Sequence, residues 1–159
     1  MFTETHLNQN ISDAEITMPG FNIIRADRKD RYRGGTCIYI NENLPYTQLM
    51  SWSNSICEIC AIEVQETILI CIYRPPDCRN HEFHEAIKEL EDLLERNDDK
   101  DIVIAGDFNF PNIRWKETNP PCLSAEEGSL NSQSKKLLEV LEDNSIFQFV
   151  KQKTRQQTH

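Results

Sequence analysis

The hydrophobic period changes several times along the chain, and each change marks an element. Phe21 to Ala26 and Thr36 to Ile40 are short runs rich in β-formers, separated by a polar stretch that ends in Gly34-Gly35. They predict two strands joined by a hairpin-like loop. Ile56 to Val64 mixes apolar and polar positions with β-branched content, whereas Thr67 to Tyr73 is almost wholly apolar, as in a strand buried on both faces. Gln65-Glu66 supplies the turn between them. From Asn80 onward Phe83, Ile87, Leu90 and Leu94 recur at helical spacing, with Glu85, Lys88, Glu89 and Glu91 between them. That pattern predicts an amphipathic helix capped by Asn80. Ile102 to Ala105 reads as a brief central strand that Gly106 ends, and Phe110 to Gly128, with Pro111, Pro120 and Pro121, as a long loop. Leu130, Leu137, Leu138 and Leu141 mark a second helix, and Ile146 to Val150 the next strand. Strands mixed with only two helices predict a layered α/β or α+β domain.

Composition narrows the class. At 159 residues, 38% hydrophobic and 27% charged, the chain suits one folded domain spanning 1–159. A net charge of −9 argues against a protein that binds nucleic acid by a positive surface alone. It argues less against a metal-dependent nuclease, whose bound cations offset some carboxylates. Arg25, Arg28, Lys29, Arg31 and Arg33, diluted by Asp27 and Asp30, form a candidate basic patch, with a solvated loop as the alternative. Cysteines at 37, 57, 60, 71, 78 and 122, without a secretory signal pattern, point to a reducing compartment, nucleus or cytoplasm. The longest strongly apolar run, Ile68 to Tyr73, falls far short of the roughly 20 residues a spanning helix needs. No membrane partner is expected.

Two metal-like spacings carry little. Cys57-Glu58-Ile59-Cys60 has half a zinc site's spacing without a second pair, which favours buried thiols acting as small hydrophobes. His81-Glu82-Phe83-His84 places its histidines three apart where a metalloprotease helix needs four, so they are read as facing solvent on the first helical turn.

Chemistry concentrates elsewhere. Asp107 and Asn109 follow a strand two residues apart, a spacing that in extended chain turns both side chains to one side. A carboxylate and an amide there can activate water, help hold a cation and grip a phosphate. The same spacing also suits an Asx turn closing a strand. Ile72-Tyr73-Arg74-Pro75-Pro76 is a second strand end of the same kind, and ligands of open sheets sit outside the carboxyl ends of strands. Tyr73 can donate to a phosphate oxygen or simply close a sheet edge.

Gly106-Asp107-Phe108-Asn109-Phe110-Pro111-Asn112-Ile113-Arg114-Trp115, together with Ile72-Tyr73-Arg74-Pro75-Pro76, resembles the endonuclease domain of non-LTR (LINE-type) retrotransposons. That domain belongs to the endonuclease/exonuclease/phosphatase superfamily. Thr3-Glu4-Thr5-His6-Leu7, Pro19-Gly20-Phe21 and Arg33-Gly34-Gly35 fit the same family in the same order. The resemblance implies a DNase I-like fold, a two-sheet β-sandwich flanked by helices in four α/β/β/α layers, here incomplete at both termini. It implies DNA as substrate, a reverse transcriptase domain as partner in the full element, and Mg2+ or Mn2+ as cofactor. By the same resemblance Glu4 matches the metal-binding glutamate, Tyr73 the tyrosine beside the scissile phosphate, Asp107 the proton-transferring aspartate and Asn109 the phosphate-orienting asparagine.

Departures from the family shape the expectation. Members carry an asparagine on a strand upstream of the metal glutamate, and only Met1-Phe2-Thr3 precedes Glu4. They also end in a Ser-Asp-His motif, which these residues lack; His159 lies in a polar tail and is no substitute. Metal, base and phosphate donors act non-additively, so the polypeptide alone is expected to be weakly active or inactive. A non-catalytic retrotransposon remnant and a small-molecule phosphatase of the same superfamily are the alternatives.

Overall fold

The computed structural model describes residues 1–29, 33–119, 122–126 and 130–150, which form two compact units, Met1–Asn109 and Phe110–His159. The first unit holds two sheets. In one, β1 (Phe2–Thr3), β3 (Thr36–Asn41) and β2 (Phe21–Ala26) lie in the order β1-β3-β2, all antiparallel. In the other, β4 (Thr47–Ser53), β5 (Glu58–Val64), β6 (Thr67–Tyr73) and β7 (Asp101–Asp107) lie in that order. β4 to β6 are antiparallel, while β6 and β7 run parallel. A parallel pair needs a long crossover, and α1 (Asn80–Glu95) provides it.

The sheets meet over Ile24, Ala26, Ile38 and Ile40 of the first and Cys60, Ile62 and Cys71 of the second. Side chains alternate across a strand, so Ile59, Ala61, Ile68, Ile70 and Ile72 face the other way, yet none is more than 3% exposed. This two-sided burial is what the unbroken apolar run of β6 predicts. The first sheet occupies one face of the second, so the crossover helix covers the other, burying Phe83, Ala86, Ile87, Leu90, Leu93 and Leu94. The unit is thus layered helix, sheet, sheet, an α/β architecture. At the β5–β6 turn Gln65 takes a positive φ of 57°.

Several local expectations need correction. Asn80 is the first residue of α1; the cap is Arg79, whose backbone N–H and guanidinium both bond to the Glu82 carboxylate. Gly106 does not end β7, which runs on through Asp107. Nor is β7 central: it is the edge of its sheet among the described residues, with Val103 46% exposed. β4, Thr-Gln-Leu-Met-Ser-Trp-Ser, is an unpredicted strand in which only Met50 is buried.

In the second unit the expected long loop contains an antiparallel pair, β8 (Trp115–Asn119) and β9 (Cys122–Ala125). α2 (Ser132–Asp143) starts where the Asn131 side chain accepts from the Ser134 N–H at 2.8 Å, and buries Leu137 and Val140. Leu130 precedes the helix. Ile146–Val150 is not a strand; Gln148 makes one isolated bridge to Leu123, and Phe147, Phe149 and Val150 are each more than half exposed. No helix among the described residues is long and apolar enough to cross a membrane.

Candidate active site

All four candidate residues lie within the first unit. The parallel register sets Tyr73 opposite Asp107, so β6 and β7 end side by side at their carboxyl edge. One residue earlier Ile72 faces Gly106, whose φ is 149° and where a Cβ would sit 1.8 Å from the Ile72 carbonyl oxygen. Only glycine lets the two backbones approach that closely. Beyond Asp107 the chain turns sharply: Asp107 Oδ1 accepts from the Asn109 N–H at 2.9 Å, and Asn109 takes φ 49°. An Asx turn, not extended geometry, therefore places Asn109. Its Nδ2 donates to the Arg74 carbonyl at 2.9 Å.

Arg74, singled out by no spacing argument, clamps this turn. Its backbone N–H donates to the Asp107 carbonyl at 2.9 Å, and its Nη1 donates to the carbonyls of Phe108 and Asn109, each at 3.1 Å. The guanidinium lies 5.7 Å from the Phe83 ring centroid and is buried, which lowers its pKa from the usual arginine value.

Glu4 follows β1 on an exposed strap. Its Oε1 accepts from the Tyr73 hydroxyl at 2.8 Å. Burial first, and that hydrogen bond second, push the Tyr73 pKa well up, so the phenol stays a neutral donor over any ordinary pH. The strap hangs on the start of β3, with Thr5 N–H donating to the Gly35 carbonyl and His6 N–H to that of Gly34. Glu4 and His6 have φ of 54° and 56°; with Asn109 they put three of the non-glycine positive-φ residues of the described chain around one site. Such strain persists only where surrounding contacts impose it. The geometry thus joins Glu4 to Tyr73 directly, sets Tyr73 beside Asp107 by register, and ties Asn109 to Asp107 and Arg74.

A model of the endonuclease-reverse transcriptase family matches residues 67–159, more than half of the chain. The chain belongs to the endonuclease-reverse transcriptase family. Tyr73, Arg74, Asp107 and Asn109 fall inside the matched span, and Glu4 outside it. Among solved structures, the endonuclease domain of TRAS1, a telomere-specific non-LTR retrotransposon, matches at 13% identity with a TM-score of 0.46, over 80% of this chain and 53% of that one. The chain thus spans about half the length of that solved domain. No curated protein matches it.

In this endonuclease-reverse transcriptase family member two of the five residues of the expected basic patch are taken up by internal pairs. Arg25 bridges Asp13 at 3.2 Å and Asp27 at 3.1 Å, and Arg28 is buried against Glu58. Lys29 and Arg33 are exposed, and Arg31 lies outside the described residues. Five of the six thiols are buried and Cys122 is half-buried. Cys57 Sγ lies 3.4 Å from Cys78 Sγ, and burial pushes the Cys37 thiol up to about 11. No group of three or more His, Cys, Asp or Glu among the described residues could cage a metal. His81 and His84 are exposed.

Proposed function

We propose that this chain is the phosphodiester-cutting part of a retrotransposon-type endonuclease, nicking DNA with a divalent cation, Mg2+ or Mn2+, and working beside a reverse transcriptase in the full element. The observation that carries the reading is the 2.8 Å contact between Glu4 and Tyr73 at the strand ends where Asp107 also lies. Family membership over residues 67–159 supports the class of activity. The reading also takes the two compact units as parts of one endonuclease domain.

The donor set suits a hard cation of small radius. Mg2+ keeps several waters and takes one or two carboxylates plus substrate phosphate oxygens, not an all-protein cage. Glu4, exposed and engaged among the described residues through Oε1 alone, is the carboxylate that would hold it. When bound, such an ion neutralises charge on the phosphate and eases deprotonation of water. Tyr73 holds the Glu4 carboxylate through its hydroxyl, and that oxygen remains beside the place a phosphate would occupy. Asp107 offers Oδ2 to the proton of the attacking water, since Oδ1 is spent on the Asx turn. Asn109 is fixed through one amide hydrogen on the Arg74 carbonyl, leaving the other for a phosphate oxygen.

Supercoiled plasmid with Mg2+ tests the reading. These residues contain no Ser-Asp-His motif, so weak nicking is expected from this polypeptide, stronger nicking from a longer one that adds the motif, and none after Asp107→Ala. A longer polypeptide that hydrolyses inositol phosphates but leaves plasmid intact would defeat the proposal in favour of a small-molecule phosphatase. Nicking unaffected by Asp107→Ala would remove the assigned site.

A further inference from the structure

We propose that the buried Arg28–Glu58 ion pair is a positioning unit that holds the Glu4 carboxylate and the Tyr73 hydroxyl in one fixed geometry. The inference rests on the reading of Glu4 and Tyr73 as active-site groups. Arg28 is 6% exposed and Glu58 not at all, so both charges have left water. Such a pair contributes little net stability, because the desolvation cost rivals the attraction, and apolar residues of similar volume often serve the fold as well. Its contacts explain what it does instead.

Arg28 Nε donates to Glu58 Oε1 at 2.5 Å and Nη2 to Oε2 at 3.2 Å, a two-pronged pairing that fixes the guanidinium plane. Nη2 also donates to the Ile56 carbonyl. The guanidinium carbon then lies 5.5 Å from the Tyr73 ring centroid, bracing the phenol from its face. On the other side, Glu58 Oε2 accepts from the Gly35 N–H at 3.1 Å. The carbonyls of Gly34 and Gly35 in turn hold the amides of His6 and Thr5, the residues that carry Glu4. At Gly34 a Cβ would fall 2.5 Å from Arg28 Cζ, so the backbone can lie against the guanidinium only because that residue is glycine. The contacts close a ring: Glu58 to Gly35, Gly35 to the Glu4 strap, Glu4 to Tyr73, Tyr73 to Arg28, and Arg28 back to Glu58. Two active-site groups 69 residues apart in the sequence thus share one support, and neither partner need touch substrate.

The test compares Glu58→Gln, Arg28→Lys and the double apolar variant Arg28→Met/Glu58→Met by thermal melting, amide hydrogen exchange and plasmid nicking. In the metal-free protein, Thr5 and His6 amides of the double variant should exchange about tenfold faster or more, with β5, β6 and α1 amides unchanged. Melting should recover toward that of the parent while nicking stays depressed, mainly in kcat and not in the KM for DNA. A double variant that melts, exchanges and nicks like the parent would overturn the proposal, since the pair would then be structural filler. Should the double variant fail to fold, the folded single variants decide: unchanged Thr5 and His6 exchange overturns it, and selective acceleration supports it. Parent protein that never nicks, with strap exchange responding as described, would count against the active-site reading and leave the ring of contacts standing.

Discussion

Replacing Gly106 with alanine should damage the fold at the point where it presents Asp107. A Cβ there would sit 1.8 Å from the Ile72 carbonyl oxygen and 2.9 Å from its carbon, whereas separations under 3.0 Å are essentially never seen. Both atoms belong to the backbone of β6, a strand buried on both faces, so the neighbour cannot swing aside as a flexible side chain would. The strands must part by an ångström or more, or β7 must leave φ 149°. Overpacking costs about 1–3 kcal/mol and a non-glycine residue in such a backbone region a further ~1–3 kcal/mol, which together give roughly 4 kcal/mol. For a chain of this size that lowers Tm by about 8–16 °C, at roughly 2–4 °C per kcal/mol. Gly20→Ala is the internal control, because Gly20 also has a positive φ, 81°, but nothing within 4 Å of its added carbon. It should cost only the backbone penalty, about 1–2 kcal/mol. Circular dichroism melts of the two variants and the parent decide the matter. Equal Tm losses would show that the approach of β6 to β7 at Ile72 is not tight, and the reasoning would fail.

Asp107→Asn keeps an oxygen to accept the Asn109 N–H but removes the carboxylate, so melting should change by less than about 0.5 kcal/mol while nicking falls about 10²-fold or more; parallel melts and plasmid assays check this. Arg74→Ala removes charged donors from the Phe108 and Asn109 carbonyls and should cost about 3 kcal/mol in a urea titration, a loss under 1 kcal/mol counting against the clamp. Hydrogen bonding to the Arg79 guanidinium holds Glu82 at about 2, below its ordinary 4.5. Its contribution to stability is therefore present above pH 4.5 and lost as pH falls toward 2, and Glu82→Gln should flatten that part of the Tm-against-pH curve. With five buried thiols and one half-buried, a thiol reagent should label Cys122 fast and the rest only on unfolding; two or more fast thiols would contradict the packing.

What the sequence made legible was whatever a local period encodes. Thr67 to Tyr73 read as a two-faced buried strand because every position is apolar or β-branched, and α1 read correctly because its apolar stripe repeats at helical spacing. β4 was invisible because its sheet edge leaves every residue of Thr47–Ser53 but Met50 exposed or half-buried, so no alternation survives. β8 and β9 were hidden by the prolines between them, and Ile146–Val150 was overread because apolar content implies a strand only where a partner accepts it. At the site, Tyr73 and Asp107 were legible as strand ends. Glu4 was legible only through family resemblance, since an exposed glutamate on an irregular strap carries no local signal. Arg28 and Glu58 are thirty residues apart, and nothing in either neighbourhood announces that one buries the other.

The two readings of Asp107 offered by its sequence, turn closure and catalysis, need not compete. A carboxylate has two oxygens, and the turn uses Oδ1 alone. Without that bond Asn109 would have no reason to hold φ 49°, a conformation asparagine tolerates better than most residues. Held there, its amide reaches the Arg74 carbonyl, and the Arg74 guanidinium returns to the carbonyls of Phe108 and Asn109. The loop is therefore fixed by interactions that leave Oδ2 of Asp107 without a partner among the described residues. A purely structural Asx turn has no need of a clamp that stiffens it from both sides. A group that must meet a phosphate within a fraction of an ångström does. Under the proposed function, the clamp is what holds this aspartate ready for chemistry.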